Sequence, residues 1–228
     1  MLKLDIFIQG ENLDLCIPTE EFALKSDWYS WFNNKKITKY LEHGVYPNTK
    51  EDQKKFLNSI DNKLVFIISN KNNYFGVISL SEINVKKKTA EIGLALNTQA
   101  KYNFLAPLES IALITEHAFE ILGLKLIYGG QHVNLEKWTI MMELVGYKVE
   151  GIHENRFIKG MEVNNTVSIS CNIEDYIFLK KIRKNLWDGN KHFIKRIKKI
   201  RKIKTYLSIL KTLQDKDRKI YYKKIHTL

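Results

Sequence analysis

The order of strands and helices between residues 64 and 130 constrains the fold of this chain more than any other feature of the sequence. LVFIIS at 64–69 and YFGVISLSEI at 74–83 are rich in β-branched and aromatic residues and are separated by the turn NKNN, a composition typical of a β-hairpin. AEIGLAL at 90–96 is a third strand, with side chains alternating between two faces. From Pro107 the apolar residues recur every three or four positions, which predicts a helix with one buried face. A meander followed by a helix predicts an α+β protein.

The flanking segments complete the order β-α-α-β-β-β-α-β-α-β-β. Before the meander, NLDLCIP is a strand, and two helices follow, one opened by Thr19 and the other by Asn48 with Glu51 as its capping-box partner. After the long helix come the strand LKLIYGG, the helix LEKWTIMMELVG with Asn134 as its cap, and the strands KVEGIHENRFI and NTVSISCNI. The sequence therefore predicts one domain over residues 1–179.

The turn before the long helix lacks glycine, since none occurs between Gly93 and Gly123. A turn that leads from a strand into a helix N-terminus has free backbone N–H groups beside the positive end of the helix dipole, so it is a natural anion site. Such sites usually carry glycines. Either this loop holds a phosphate in a different way, or it does not bind one.

The positive charge is concentrated at the C-terminal end. The net charge is +12, but residues 180–228 hold 18 of the 37 Lys and Arg and 3 of the 25 acids, a net +15, and residues 1–179 carry −3. A nucleic-acid surface across the whole protein is therefore disfavoured. We predict a basic amphipathic helical extension over residues 180–228.

Cysteine content and hydropathy indicate the compartment. Cys16 and Cys171 lack metal-type spacing, so we expect two ordinary buried thiols and a reducing environment. The N-terminal segment contains acids, and no run of about 18 apolar residues occurs. We expect a cytoplasmic protein that does not span a membrane.

The order of elements and three segments resemble the GNAT acetyltransferase superfamily, closest to its branch of ribosomal-protein and amino-sugar N-acetyltransferases. The resemblance covers residues 11–179 and includes WFNNKKITKYLEHGVYPNTKEDQKKFL, GVISLSEINVKKKTAEIGLAL and ELVGYKVEGIHENRFIKG. The first two are similar to enzymes that acetylate nucleotide-linked amino sugars for bacterial surface glycans. The resemblance implies an α+β fold with a GNAT-like mixed central sheet flanked by helices, acetyl-CoA as donor, a primary amine as acceptor and no metal.

The resemblance also assigns a cofactor site. In the family, a loop with the pattern Gln/Arg-x-x-Gly-x-Gly/Ala and the following helix start bind the CoA pyrophosphate through backbone N–H groups. Aligned on Glu109, the glycines fall at Asn103 and Leu105, and the small residue falls at Pro107. Asparagine can adopt the left-handed conformation of glycine, but leucine cannot do so cheaply, and proline has no N–H. The residues implied to contact CoA are Leu94, Ala95, Leu96, Tyr102, Asn103, Phe104, Leu105, Ala106, Leu108 and Asn134.

Acetyl transfer needs a neutral amine, a polarised thioester carbonyl and a proton for the leaving thiolate. Glu91, on the third meander strand, is the candidate proton acceptor, and the alternative is a solvated strand glutamate. The family's leaving-group tyrosine falls at Met141, which cannot donate a proton. His132 is a substitute candidate, although a histidine at a strand end is often structural.

The acceptor amine is expected to lie against the N-terminal helices. WYSWFNNKKITKYLEHGVY is aromatic and also contains Asn and His, which suits a sugar or nucleotide ring. The candidate substrate-binding residues are Trp31, Asn34, Tyr40 and His43. Trp31 and Tyr40 could instead be core residues.

The extension has an apolar stripe at helical spacing. Its members are Ile194, Ile197, Ile200, Ile203, Leu207, Leu210 and Leu213, and KRIKKIRKIK places positive charge around them. The stripe could dock onto the body or form a homodimer, or residues 190–213 could hold the protein at the inner face of an anionic membrane. Nucleic acid is disfavoured because aromatic residues are sparse.

The sequence thus predicts an acetyl-CoA-dependent N-acetyltransferase, with a nucleotide-linked amino sugar as acceptor. A protein N-acetyltransferase of the ribosomal-protein type is one alternative. A catalytically inactive GNAT-like binding module is the other, suggested by the altered cofactor loop and Met141.

Overall fold

A computed structural model describes residues 2–200 except 60 and 72, together with residues 202, 207, 208, 210, 211, 220, 223 and 224. The strands are β1 (Ile6–Gln9), β2 (Asp14–Cys16), β3 (Leu64–Asn70), β4 (Asn73–Asn84), β5 (Thr89–Leu96), β6 (Leu126–His132), β7 (Lys148–Lys159) and β8 (Glu162–Asn172). The helices are α1 (Glu20–Lys25), α2 (Trp28–Trp31), α3 (Lys50–Asn58), α4 (Ala106–Glu120), α5 (Glu136–Met142), α6 (Ile173–Arg183) and α7 (Asn190–Ile200). Short 3-10 turns lie at Thr38–Tyr40, Val133–Leu135 and Glu143–Val145.

The strands form one mixed sheet in the order β1-β2-β3-β4-β5-β6-β8-β7. Neighbouring strands are antiparallel except β5 and β6, which are parallel. These two strands pair only from Thr89–Leu126 to Glu91–Tyr128 and are not paired beyond that point. The predicted α+β class and mixed central sheet flanked by helices are confirmed.

Two hydrophobic clusters cover the two faces of the sheet. One contains residues of α1 to α3, and the other contains α4 together with residues of α5 and α7. Strand β5 contributes to both, with Ala95 in the first cluster and Ile92 and Leu94 packed against the second. This is the alternation that the sequence predicts for this strand.

Side-chain caps mark the starts of α1 and α3. The Thr19 hydroxyl accepts a hydrogen bond from the Phe22 N–H at 3.1 Å, as predicted. The second predicted cap is wrong by one residue, because Thr49 and Asp52 form the capping box of α3. The Asn48 side chain instead donates a hydrogen bond to the Tyr29 carbonyl at 3.1 Å, so it does not cap α3.

Two other features differ from the sequence prediction. The segment predicted as the first helix is two short helices, because α1 ends at Lys25 and α2 begins at Trp28. Strand β1 was not predicted, and it pairs with β2 at the sheet edge. Cys16 and Cys171 are buried and unpaired, as expected.

The C-terminal extension packs on the body. Helix α6 crosses the predicted boundary at residue 179. Two members of the stripe, Ile197 and Leu207, are buried in the same cluster as α4 together with Phe193, so docking accounts for these two, whereas Ile194 is exposed. Ile203 and Leu213 lie outside the described residues. Membrane attachment through residues 190–213, a homodimer and the division into two domains stay predictions.

Among the described residues, no helix combines the length and apolar character needed to cross a bilayer.

Candidate active site

The parting of β5 and β6 opens a cavity of about 420 Å³ beside Ile92, Gly93 and Leu94. The Lys88 carbonyl accepts a hydrogen bond from the Lys125 N–H at 2.6 Å, so the Lys88 backbone faces the β6 side. Because backbone direction alternates along a strand, the N–H and C=O groups of Ile92, Leu94 and Leu96 face the same side. They lie beyond the last β5–β6 pair and can bond to an extended ligand in the gap.

The same alternation separates Ala95 from its neighbours. Its backbone faces β4, with Val77 as its partner in the pairing register. Its side chain lines the second cavity described below. The backbones of Leu94 and Leu96 can therefore make the predicted contact with CoA, whereas the backbone of Ala95 cannot.

The loop before α4 has donors for an anion despite its lack of glycine. Within the described residues, the backbone N–H groups of Tyr102, Asn103 and Phe104 at the end of the loop, and of Leu108 in the first turn of α4, have no acceptor. The N–H groups of Leu105 and Ala106 are occupied, because they donate to the side chain and the carbonyl of Asn103. Free N–H groups at the start of a fifteen-residue helix suit a phosphate.

The conformation of this loop differs from the sequence expectation. Leu105 has φ −87° and ψ −16°, and Asn103 is not among the described residues with positive φ. Neither position therefore adopts the left-handed conformation for which glycine is suited. The Leu105, Ala106 and Leu108 side chains are buried in the core, so only their backbones could meet a ligand. Phe104 is 63% exposed.

A larger cavity of about 750 Å³ lies between β4 and β5 and the segment from α2 to α3. Among the described lining residues, the carboxylates are Glu42, Asp52, Glu82 and Glu91, and the one ammonium group is Lys63. Lys63 Nζ lies over the Phe56 ring, 5.0 Å from its centroid. The cavity thus has a surplus of negative charge.

Glu91 borders both cavities and is the last residue of β5 paired with β6. Its carboxyl is half-buried. Burial raises the pKa of Glu91, and the charges of Glu82 and Glu42 raise it further. A higher pKa makes the carboxylate a stronger proton acceptor.

His132 ends β6, is 2% exposed and lines the smaller cavity. Its Nδ1 accepts a hydrogen bond from the Asn134 N–H at 3.1 Å, so the neutral ring carries its proton on Nε2. Nε2 lies 3.6 Å from Glu162 Oε1, beyond hydrogen-bond distance. Burial lowers the pKa of His132, although Glu162 opposes this shift. A neutral imidazole can donate a hydrogen bond to a thiolate, but it is a poor acid for protonating one.

The structure corrects the predicted cap at Asn134. Helix α5 begins at Glu136 after Leu135, without a side-chain cap, and Asn134 lies in the preceding 3-10 turn. Instead, the His132 ring accepts a hydrogen bond from the backbone N–H of Asn134 in that turn. Met141 is partly buried against the core and does not line either cavity.

Two of the four predicted acceptor residues line a cavity. Tyr40 lines the smaller one, with its ring centroid 4.8 Å from that of His132. His43 lines both, and desolvation lowers its pKa. Trp31 is 2% exposed, belongs to the core and lines neither cavity. Asn34 forms a turn, where its Oδ1 accepts from the Lys36 N–H at 2.9 Å.

Lys159 holds a segment that lines both cavities, a role that the sequence did not reveal. Its Nζ donates to the carbonyls of Thr38 at 2.6 Å, Leu41 at 3.1 Å and His43 at 2.6 Å. All three ammonium hydrogens are used, which ties the end of β7 to the segment 38–43. That segment supplies Tyr40, Glu42 and His43 to the cavities.

The split sheet, the donor-rich helix start and the carboxylate between two cavities together form the candidate active site. A family model described as an acetyltransferase (GNAT) domain matches residues 21–144. The chain belongs to the GNAT acetyltransferase family and is an acetyl-CoA-dependent N-acetyltransferase.

Solved structures share the fold. RimL, a ribosomal alpha-N-protein acetyltransferase solved with coenzyme A, has a TM-score of 0.66 and 14% identity over 75% of this chain and 99% of its own. A spermidine N-acetyltransferase from Vibrio cholerae, solved with CoA and spermine, has a TM-score of 0.65 and 19% identity over 73% and 98%. The microcin self-immunity acetyltransferase MccE, solved with acetyl-CoA and AMP, has a TM-score of 0.61 and 21% identity over 72% and 94%.

No curated protein sequence matches the chain significantly. Among the described residues, no group of three or more His, Cys, Asp and Glu side chains is placed to hold a metal ion.

Proposed function

We propose that this protein acetylates a cationic primary amine bound in the larger, acid-lined cavity. The observation that carries the proposal is the surplus of carboxylates over ammonium groups among the described residues of that cavity. Carboxylates attract a protonated amine and select against anionic molecules. Glu91 borders both cavities, so its carboxylate lies close to the point where the bound amine must lose a proton.

Acetyl-CoA would lie between β5 and β6. Its pyrophosphate suits the free N–H groups of Tyr102, Asn103, Phe104 and Leu108 at the start of α4. Its pantetheine arm suits the outward backbone of Leu94 and Leu96. Acetyl-CoA supplies a thioester carbonyl to the attacking amine.

Two side chains, those of Glu91 and His132, would assist the transfer: the first at the amine nitrogen and the second at the leaving sulfur. The bound ammonium group first loses a proton to Glu91, directly or through water, and Glu91 releases that proton to solvent. The neutral amine nitrogen then forms a bond to the acetyl carbon, the carbon–sulfur bond breaks, and the nitrogen loses its second proton to Glu91. The Nε2–H of His132 can donate a hydrogen bond toward the cavity. The thiolate then takes a proton from solvent.

The nucleotide-linked amino sugar predicted from sequence is the competing acceptor. Its diphosphate would bring negative charge to a cavity whose described lining has four carboxylates and one ammonium group. Trp31, predicted to contact the acceptor, is in the core. The charge of the cavity therefore favours an unphosphorylated amine, such as a polyamine or the N-terminus of a peptide.

Glu42→Gln and Glu82→Gln test the charge of the cavity. Each should raise the KM for spermidine about threefold, the scale of a partly screened ion pair, and the double variant about tenfold. Glu51→Gln removes the same charge from α3 outside the cavity lining and should leave KM unchanged. Steady-state kinetics at low and high salt measures these effects, and the wild-type KM should rise with salt.

Acceptor competition completes this experiment. Spermidine, a peptide amine and a nucleotide-linked amino sugar should be compared at equal acetyl-CoA. A higher kcat/KM for the nucleotide-linked sugar, or an unchanged spermidine KM in the double variant, would overturn the cationic-amine proposal. Absence of turnover with both spermidine and the peptide amine would overturn it as well.

A further inference from the structure

Three asparagines connect the C-terminal extension to the loop before α4. Asn190, the first residue of α7, donates from Nδ2 to Asn12 Oδ1 at 2.9 Å. In return, Asn12 Nδ2 donates to Asn190 Oδ1 at 2.9 Å. Asn103 Nδ2 donates to the same Asn12 Oδ1 at 2.6 Å. A residue late in the chain is thus two side-chain hydrogen bonds away from the cofactor loop.

Asn12, between β1 and β2, uses its whole side-chain amide in these contacts. Its Oδ1 accepts from Asn103 and Asn190, and its Nδ2 donates to Asn190 and to Glu109 Oε2, the latter at 2.7 Å. An amide has two donor hydrogens and an oxygen with two lone pairs, so no capacity is left over. The orientation of Asn12 is therefore determined by its neighbours.

Asn103 transmits this order to the backbone of the cofactor loop. Its Oδ1 accepts from the Leu105 N–H at 3.0 Å, and its carbonyl accepts from the Ala106 N–H at 2.9 Å. The rotamer of Asn103 thus determines the turn from which the N–H groups of residues 102–104 emerge. These hydrogen bonds hold the turn although it contains no glycine.

Two carboxylates fix the outer part of the network. Glu11 Oε2 accepts from the Asn190 N–H at 3.1 Å and from Trp187 Nε1 at 3.0 Å. Glu109, in the first turn of α4, accepts from the Glu11 N–H and from the Asn12 N–H, the second at 3.0 Å. The start of α7, the β1–β2 turn and the start of α4 are therefore held together.

We propose that the extension is part of the cofactor site: Asn190, acting through Asn12, positions the Asn103 loop for the phosphates of CoA. The inference rests on the proposed use of acetyl-CoA. A loop already held in its binding conformation does not lose conformational entropy when the ligand binds, so its affinity is higher. Asn190 is a positioning residue, and its effect should appear in affinity while the reacting groups near Glu91 stay unchanged.

Calorimetric titration of CoA into Asn190→Ala tests this role. We expect Kd to rise about tenfold, since two hydrogen bonds are lost and Asn12 keeps unsatisfied groups. At saturating acetyl-CoA, kcat should stay within about twofold of wild type. Asn185→Ala is the matched control, because Asn185 is exposed on the same extension and, among the described residues, its one hydrogen bond is from its backbone N–H to the Arg183 carbonyl. Its Kd should equal that of wild type.

Asn103→Ala separates positioning from direct contact. This variant should also bind CoA more weakly, and adding Asn190→Ala to it should weaken binding no further, because both residues act through one loop. Additive losses would show that Asn190 acts independently of the loop, and the proposal would be wrong. The melting temperature of each ligand-free variant checks that it is folded, and Asn103→Ala still tests the loop if Asn190→Ala does not fold.

The two proposals fail in different ways. If wild type does not bind CoA, the proposed function fails with the inference. If wild type binds CoA and Asn190→Ala binds it equally well, only the inference fails.

Discussion

Glu91→Gln is expected to lower kcat by about a hundredfold or more, the usual scale for the loss of a general base. The amide cannot accept the amine proton, but it keeps the size of the carboxyl group. Because Glu91 lies between the cavities and not in the loop before α4, the Kd for CoA should change by less than about twofold. Single-turnover kinetics and calorimetry measure the two quantities.

The pH dependence gives a second readout of Glu91. Burial and the charges of Glu82 and Glu42 raise its pKa above the ordinary value of 4.5. The carboxylate accepts a proton only above that pKa, so wild-type kcat should fall as pH decreases through it. The kcat of Glu91→Gln should not show this decrease at low pH.

Glu143→Gln is a matched control, since burial also raises the pKa of Glu143, which lines neither cavity. Its kcat should match wild type. Unchanged turnover in Glu91→Gln would make Glu91 structural and leave the base to a water chain or another group.

Phe193→Ala is expected to lower the free energy of unfolding by about 3–5 kcal/mol. Phe193 is fully buried, its ring stacks on Trp187 with centroids 4.3 Å apart, and the Arg183 and Arg196 guanidinium groups lie near the same ring. For a chain of this size the loss should lower the melting temperature by roughly 10 °C.

Ile194→Ala, one residue later, provides the comparison. Ile194 is 38% exposed, so its truncation should cost less than about 1 kcal/mol. Differential scanning calorimetry measures both variants. Equal small losses would show that α7 is not part of the core, and they would leave its apolar stripe available for a membrane.

The meander and α4 could be predicted because each has one strong periodicity over many residues. Strand β1 was missed since its four residues lie at the sheet edge and three of them are exposed. The cap of α3 was misplaced because Asn48 and Thr49 can both cap a helix, and the contact between Asn48 and Tyr29 decides between them.

The candidate site was less predictable than the fold. Aromatic residues serve cores and clefts equally, so the pattern around Trp31 could not distinguish the two. Lys159 donates hydrogen bonds to backbone carbonyls 116 to 121 positions away in the sequence. Because every residue has a backbone carbonyl, no sequence pattern marks these partners. The network of Asn12, Asn103 and Asn190 depends on three distant segments, and no local pattern marks it.

The burial of Phe193 and Leu207 has a consequence for synthesis on the ribosome. Both residues belong to the cluster that α4 forms with the sheet, so that cluster cannot close until residue 207 has emerged. Domains usually fold as units during translation, and apolar surface exposed in the meantime favours aggregation. The nascent protein must therefore keep one face of its sheet incompletely covered until the whole body and much of the extension have been made.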